Sequence, residues 1–196
     1  MLKSVLAVSQ GGPDAAMSFG LAARVAGVFE AAVDALHLSP GQAAVLAPEG
    51  EMLPVFLDRD IDDGARAGES EAQFGKRLRG LAGATYAVAE GSTLDDLVGR
   101  GRCADLVVIG RPGSDPDNAE PVTVTTAIHD CARPVMIAPP QPGQGGFDRV
   151  VVAWNGSLQA ARAVGYALPF LARAKSATIV VIGRAPEAVG APRLVR

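Results

Sequence analysis

The stretch with the most chemical content is Leu106-Val107-Val108-Ile109-Gly110-Arg111-Pro112-Gly113-Ser114. An apolar, β-branched run feeds a Gly-x-x-Gly turn. Glycines at such a turn let backbone N–H groups approach an anion, and the N-terminus of a following helix favours negative charge. Phosphate binding is the chemistry this spacing suits, although a plain strand-to-helix turn uses glycine for the same geometry. Asn155-Gly156-Ser157 lacks the second glycine of a nucleophile elbow, so Ser157 reads as a helix N-cap. His129, Asp130 and Cys131 are adjacent helical residues that point to different faces, and no metal site is expected of them. Asp58 to Asp63 lacks EF-hand spacing and reads as a solvated loop or helix start. His37 lies in an apolar run and reads as a packed, hydrogen-bonded residue. Cys103 and Cys131 form no CxxC pair and read as plain thiols. No nucleophile–base or acid–base pair emerges, so we expect a binding protein and not an enzyme.

The turn needs elements to hold it. Ser4–Val8, Ala35–Leu38, Leu106–Ile109 and Val135–Ala138 are short runs with little polar alternation, and Ala84–Ala89 is a weaker one. Such runs suit strands covered on both faces. Helical patterns lie between them: Asp14 to Val28, a stretch through Gln73, Leu78 and Leu81, another from Ser92 or Thr93, and Thr125 to Ala132. Strands alternating with helices imply right-handed crossovers and an open parallel sheet. Residues 1–139 are therefore read as a Rossmann-like, three-layer α/β/α domain with five parallel strands. In such a sheet ligands bind beyond the carboxyl ends of the strands, which directs attention to Ser9–Pro13, Ser39–Gln42 and Arg111–Pro121.

Residues 140–147, rich in Pro and Gly, read as a linker; Gly143-Gln144-Gly145-Gly146 precedes a strand and is no dinucleotide fingerprint. The pattern then restarts. Lys3 to Gly11 aligns with Arg149 to Ser157, and Ala15 and Ala26 align with Ala161 and Ala172, as in an internal duplication. The second copy, residues 148–183, holds only strand Val150–Trp154, helix Leu158–Ala174 and strand Thr178–Ile182, followed by a loop-like tail 184–196. Two strands and one helix leave Val150–Val152 and Ile179–Val181 partly exposed. That surface docks in cis, pairs with another chain, or marks a truncated tandem protein.

Composition sets the bounds. The chain has 196 residues, 48% of them hydrophobic and 20% charged, which excludes intrinsic disorder as its overall state. The net charge is −3 and no long Lys/Arg run exists, so no nucleic-acid surface is expected. No apolar run approaches the roughly 18 residues of a membrane span, and the N-terminus does not read as a signal peptide. We expect a cytoplasmic protein with no membrane association.

Taken together, Val5-Leu6-Ala7-Val8 before a glycine turn, Cys103 to Gly113, Arg133-Pro134-Val135-Met136-Ile137-Ala138-Pro139 and Val151 to Ser157 resemble the universal stress proteins, tandem bacterial type. The resemblance covers the chain to about residue 183. It implies a stress-response role, a five-stranded parallel sheet, dimers in many members and bound ATP with Mg²⁺ in some. By that resemblance adenine would lie near Val8, Ser9 and Leu38, and phosphates near Gly110, Arg111, Gly113 and Thr123. ATP-binding members carry G-x2-G-x9-G-(Ser/Thr) and an Asp ending the first strand. Here the second half falls at Thr123-Val124, and Ser9 and Asn155 occupy the Asp positions. A Cβ at Thr123 would block close backbone approach and, were φ positive, add strain. Asp115, Asp117 and Glu120 also oppose a phosphate, against Arg111 alone. We therefore expect a regulatory module acting through protein contacts, as a homodimer or with a protein partner, with a degenerate nucleotide site. The alternative is an ATP-binding stress sensor whose phosphates sit on the Gly110–Gly113 loop.

Overall fold

The computed structural model describes residues 2–39, 43–46, 52–55, 63–89, 93–113, 119–140, 146–183 and 190–194. The chain divides into two compact units, Leu2–Pro142 and Gly143–Arg196. The first holds β1 (Ser4–Ser9), α1 (Gly12–Phe29), β2 (Ala32–His37), β3 (Ala43–Leu46), β4 (Met52–Val55), α2 (Asp63–Arg77), β5 (Thr85–Val88), α3 (Thr93–Cys103), β6 (Leu106–Gly110), α4 (Pro121–Asp130) and β7 (Val135–Ala138). Five strands form one sheet in the order β5-β2-β1-β6-β7, and every pairing in it is parallel. This is the open α/β sheet that alternating apolar runs and helices imply.

Burial follows the sequence. β6 is buried at every position and β1 at all but its first, because both lie inside the sheet with helices on each face. On one face Leu6, Val8, Leu36, Val107 and Ile109 pack with Leu97 of α3 and Val124 of α4. α1 and α2 pack together on the other face. Gly11, at φ 92, turns the chain from β1 into α1. A side chain there would meet the Arg66 backbone as well as strained dihedrals, so α2 crosses directly over this turn.

Several boundaries differ from expectation. α4 begins at Pro121, not Thr125: proline lacks only an N–H that the first helical turn leaves unpaired, and its fixed φ suits that position. Thr93 is the first residue of α3, and Ser92 lies outside the described residues. The antiparallel pair β3–β4 was not expected; Pro54 inside β4 removes a ladder donor and masks the strand in sequence. Asp63 starts α2, whereas Asp58 to Asp62 lie outside the described residues.

The second unit contains β8 (Arg149–Ala153), α5 (Leu158–Leu171), β9 (Ser176–Val180) and a 3-10 turn (Ala191–Leu194) within the segment expected to be loop. β9 starts and ends two residues before the expected strand, because parallel pairing sets Arg149 opposite Ser176 and Ala153 opposite Val180. Ser157 caps α5, its Oγ accepting the Ala160 N–H at 3.2 Å. Phe147 meets Phe170 edge-on at 4.9 Å. Otherwise the unit buries little. No residue of β8 or β9 is fully buried, and Val151 is 67% exposed.

Candidate functional site

In the sheet order the chain moves one way from β1 to β2 and the other way to β6, so the carboxyl ends of β1 and β6 flank the topological switch. The loops expected to bind a ligand converge there. Val8 and Ser9 end β1, and the Leu38 N–H donates to the Ser9 carbonyl at 2.8 Å. The side chains of Val8, Ser9 and Leu38 are all buried, and Val8 and Leu38 belong to the α3/α4-side core. Gly110 ends β6, Arg111 is exposed, and Thr123 is buried in the first turn of α4. Because Thr123 is helical, positive-φ strain does not arise there. Ser39 is described, whereas residues 40–42 and 114–118, including Asp115 and Asp117, lie outside the described residues.

Six backbone donors around this switch, among the described residues, have partners within the chain. Asp14 Oδ2 accepts the Gln10 N–H at 2.9 Å, Ser9 Oγ accepts that of Gly11 at 3.0 Å, and Glu69 Oε2 accepts that of Gly12 at 3.0 Å. Gly113, the second glycine of the expected phosphate turn, donates to the Ala119 carbonyl at 3.3 Å, and the Ala119 N–H donates to the Arg111 carbonyl at 3.1 Å. Arg111–Gly113 and Ala119 are thus bonded to each other. Glu120 and Gln10 then clamp the two loops together. The Glu120 N–H donates to Gln10 Oε1 at 2.7 Å, and Gln10 Nε2 donates to Glu120 Oε2 at 3.2 Å. Pro121 follows with no N–H at all. Ser70 completes the arrangement from α2, donating to Ser9 Oγ at 3.2 Å.

Asp14 is the least expected member. It sits in the first turn of α1, is almost wholly buried, and its Oδ1 has no hydrogen-bond partner. Burial pushes its pKa from 3.8 up to about 7, with the Gln10 N–H and the charge of Arg66 pulling the other way. A Cβ on Gly110 would collide with this carboxyl group. Gly110 is therefore accounted for by Asp14, without any phosphate. Sequence reasoning missed Gln10, Asp14, Glu69 and Ser70 as site residues and weighed Glu120 only as a charge. The acid after Gly11-Gly12-Pro13 and the Glu-Pro pair at a helix start were the available signals. Among the described residues, no group of three or more His, Cys, Asp or Glu could hold a metal ion.

No family model matches the sequence, and no curated relative matches it. Solved structures do. A universal stress protein from Archaeoglobus fulgidus DSM 4304 superposes with a TM-score of 0.57 at 18% identity, covering 97% of this chain and 73% of that one. A protein assigned to the universal stress proteins from Pseudomonas aeruginosa UCBPP-PA14 gives 0.53 at 14%, covering 97% of this chain and 66% of that one. The fold is that of the universal stress proteins. A universal stress protein from Archaeoglobus fulgidus in complex with dAMP is also similar, at 20% identity and a TM-score of 0.46, over 71% of this chain and 98% of that one. No helix among the described residues is long and apolar enough to cross a membrane.

Proposed function

We propose that this chain is a cytoplasmic universal stress protein that acts as a regulatory binding module through protein contacts, with a nucleotide site that no longer cradles a triphosphate. One observation carries the proposal. The amides of Gln10, Gly11, Gly12, Gly113, Ala119 and Glu120 all donate to the chain's own oxygens. Carboxyl groups of Asp14, Glu69 and Glu120 supply three of those acceptors or clamp partners, so acidic side chains already occupy the place where a phosphate would seek donors. Displacing the two buried bonds, to the Gln10 and Gly11 amides, costs about 1–3 kcal/mol for each group left unsatisfied. Every 1.4 kcal/mol is about tenfold in affinity, so two such losses weaken binding by about 30-fold to 10⁴-fold. Residues 1–139 form the core module in this scheme, and residues 148–183 act as a partial second copy that presents a protein-binding surface. No step of catalysis is assigned to the protein.

Isothermal titration with Mg-ATP tests this directly. The expected result is no saturable heat below millimolar concentration. Micromolar binding would overturn the degenerate-site reading and put in its place an ATP sensor with phosphates on the Gly110–Gly113 loop.

A further inference from the structure

A groove of about 620 Å³ opens at the other end of the sheet, over the amino-terminal halves of β1, β2 and β5. Its origin is geometric. α3 and α4 are only 11 and 10 residues long, and the α3 contacts on this face reach β1 and α4, leaving the β2–β5 side thinly covered. Leu6, Asp34 and Thr85 are register partners across three strands, so their side chains share this face. Gly99, Arg100 and Cys103 of α3 line the opposite wall. The volume is that of a small-molecule site, and the lining is largely apolar with a few convergent polar groups.

The polar groups indicate what would bind. Asp34 is fully engaged, accepting from Thr85 Oγ1 at 3.0 Å and from Arg100 at 2.8 Å. Arg100 is not. Its guanidinium has five N–H donors and makes one hydrogen bond, from Nη1 to Asp34, in a half-exposed ion pair, and Arg100 also lines the groove, so donors remain for a second partner there. Gly99 supports the same conclusion. Glycine inside a helix is unfavourable relative to alanine, yet a Cβ at Gly99 would meet nothing within 4 Å. Packing does not demand that glycine, and its effect is to keep the wall of the groove hollow. By contrast Gly101, two residues on, is required by Cys131. We propose that this groove is a binding site for a small apolar carboxylate, its hydrocarbon body lying along Ala87 and Gly99 and its carboxylate taken by the unused N–H groups of Arg100. The site stands at the opposite end of the strands from the topological switch and does not depend on how that switch functions.

Cys103 gives a built-in reporter, because it is exposed and lines the groove, whereas Cys131 is buried and reports unfolding. The experiment measures iodoacetamide alkylation of both cysteines in the full chain, by mass spectrometry, with naphthoate as probe and neutral naphthamide beside it. Naphthoate is expected to slow Cys103 alkylation saturably, about tenfold once it stands about tenfold above its dissociation constant. Naphthamide is expected to protect far less. Arg100→Gln should weaken naphthoate about tenfold through loss of a charged hydrogen bond. Asp34→Asn frees the guanidinium and removes a like charge, and should tighten it; a purely structural ion pair predicts no such gain. The proposal is overturned if millimolar naphthoate leaves the wild-type Cys103 rate unchanged, or if naphthamide or the Arg100→Gln protein gives equal protection.

Discussion

Asp14 brings together the constraints at the switch. Its folded pKa of about 7 lies above the ordinary 3.8, so folding takes up a proton between those values. The stability contributed by the neutral carboxyl is complete below about pH 4 and is lost as pH rises towards and through 7. Asp14→Asn keeps an acceptor for the Gln10 N–H without the charge. It should therefore gain about 1–3 kcal/mol over the wild type at pH 8, with little difference at pH 4. Urea unfolding at the two pH values checks this, and parallel pH slopes would refute it. Gly110→Ala should cost about 1–3 kcal/mol by overpacking against the same carboxyl group. In an Asp14→Ala background the added methyl should cost much less. Strict additivity in that double-mutant cycle would mean that Gly110 answers to some other neighbour.

Helix α3 makes the equivalent point for an element. Gly99 and Gly101 look alike in sequence, yet their surroundings differ. A Cβ at Gly101 would stand 3.0 Å from Cys131 Cβ and closer still to its Sγ, in a core where the thiol also donates to the Leu97 carbonyl at 3.7 Å. Burial raises the pKa of Cys131, so that thiol packs as an inert apolar group. Gly101→Ala should therefore lose about 1–3 kcal/mol despite its better helix propensity. Gly99→Ala should gain about 0.5–1 kcal/mol. Thermal unfolding of the two variants should move in opposite directions, and equal shifts would contradict the packing drawn for this helix.

At the scale of the whole molecule, the second unit exposes large apolar side chains on its strands and helix and just beyond β9. Val151, Leu158, Leu168 and Ile182 are 67%, 61%, 58% and 87% exposed. Parallel strands normally have both faces covered, and under the proposed protein-contact role this surface is where a second copy would bind. Sedimentation at micromolar concentration is expected to give a dimer, and Val151→Lys with Ile182→Lys should return a monomer. A wild-type monomer that binds no apolar dye would instead mean that the surface is covered within the chain.

Local sequence was enough to reveal the alternating strands and helices of the parallel sheet, because continuous β-branched runs and helical spacing are short-range signals. It did not reveal the β3–β4 pair, where Pro54 hides one strand and pairing with the other compensates. Nor did it reveal why Gly110 is glycine. The partners that decide the switch, Gln10 with Glu120 and Asp14 with Gly110, lie far apart along the chain, the first pair by 110 positions. Only the parallel sheet, by setting β1 beside β6, brings their loops within hydrogen-bonding reach, and that proximity determines which backbone donors are left for a ligand.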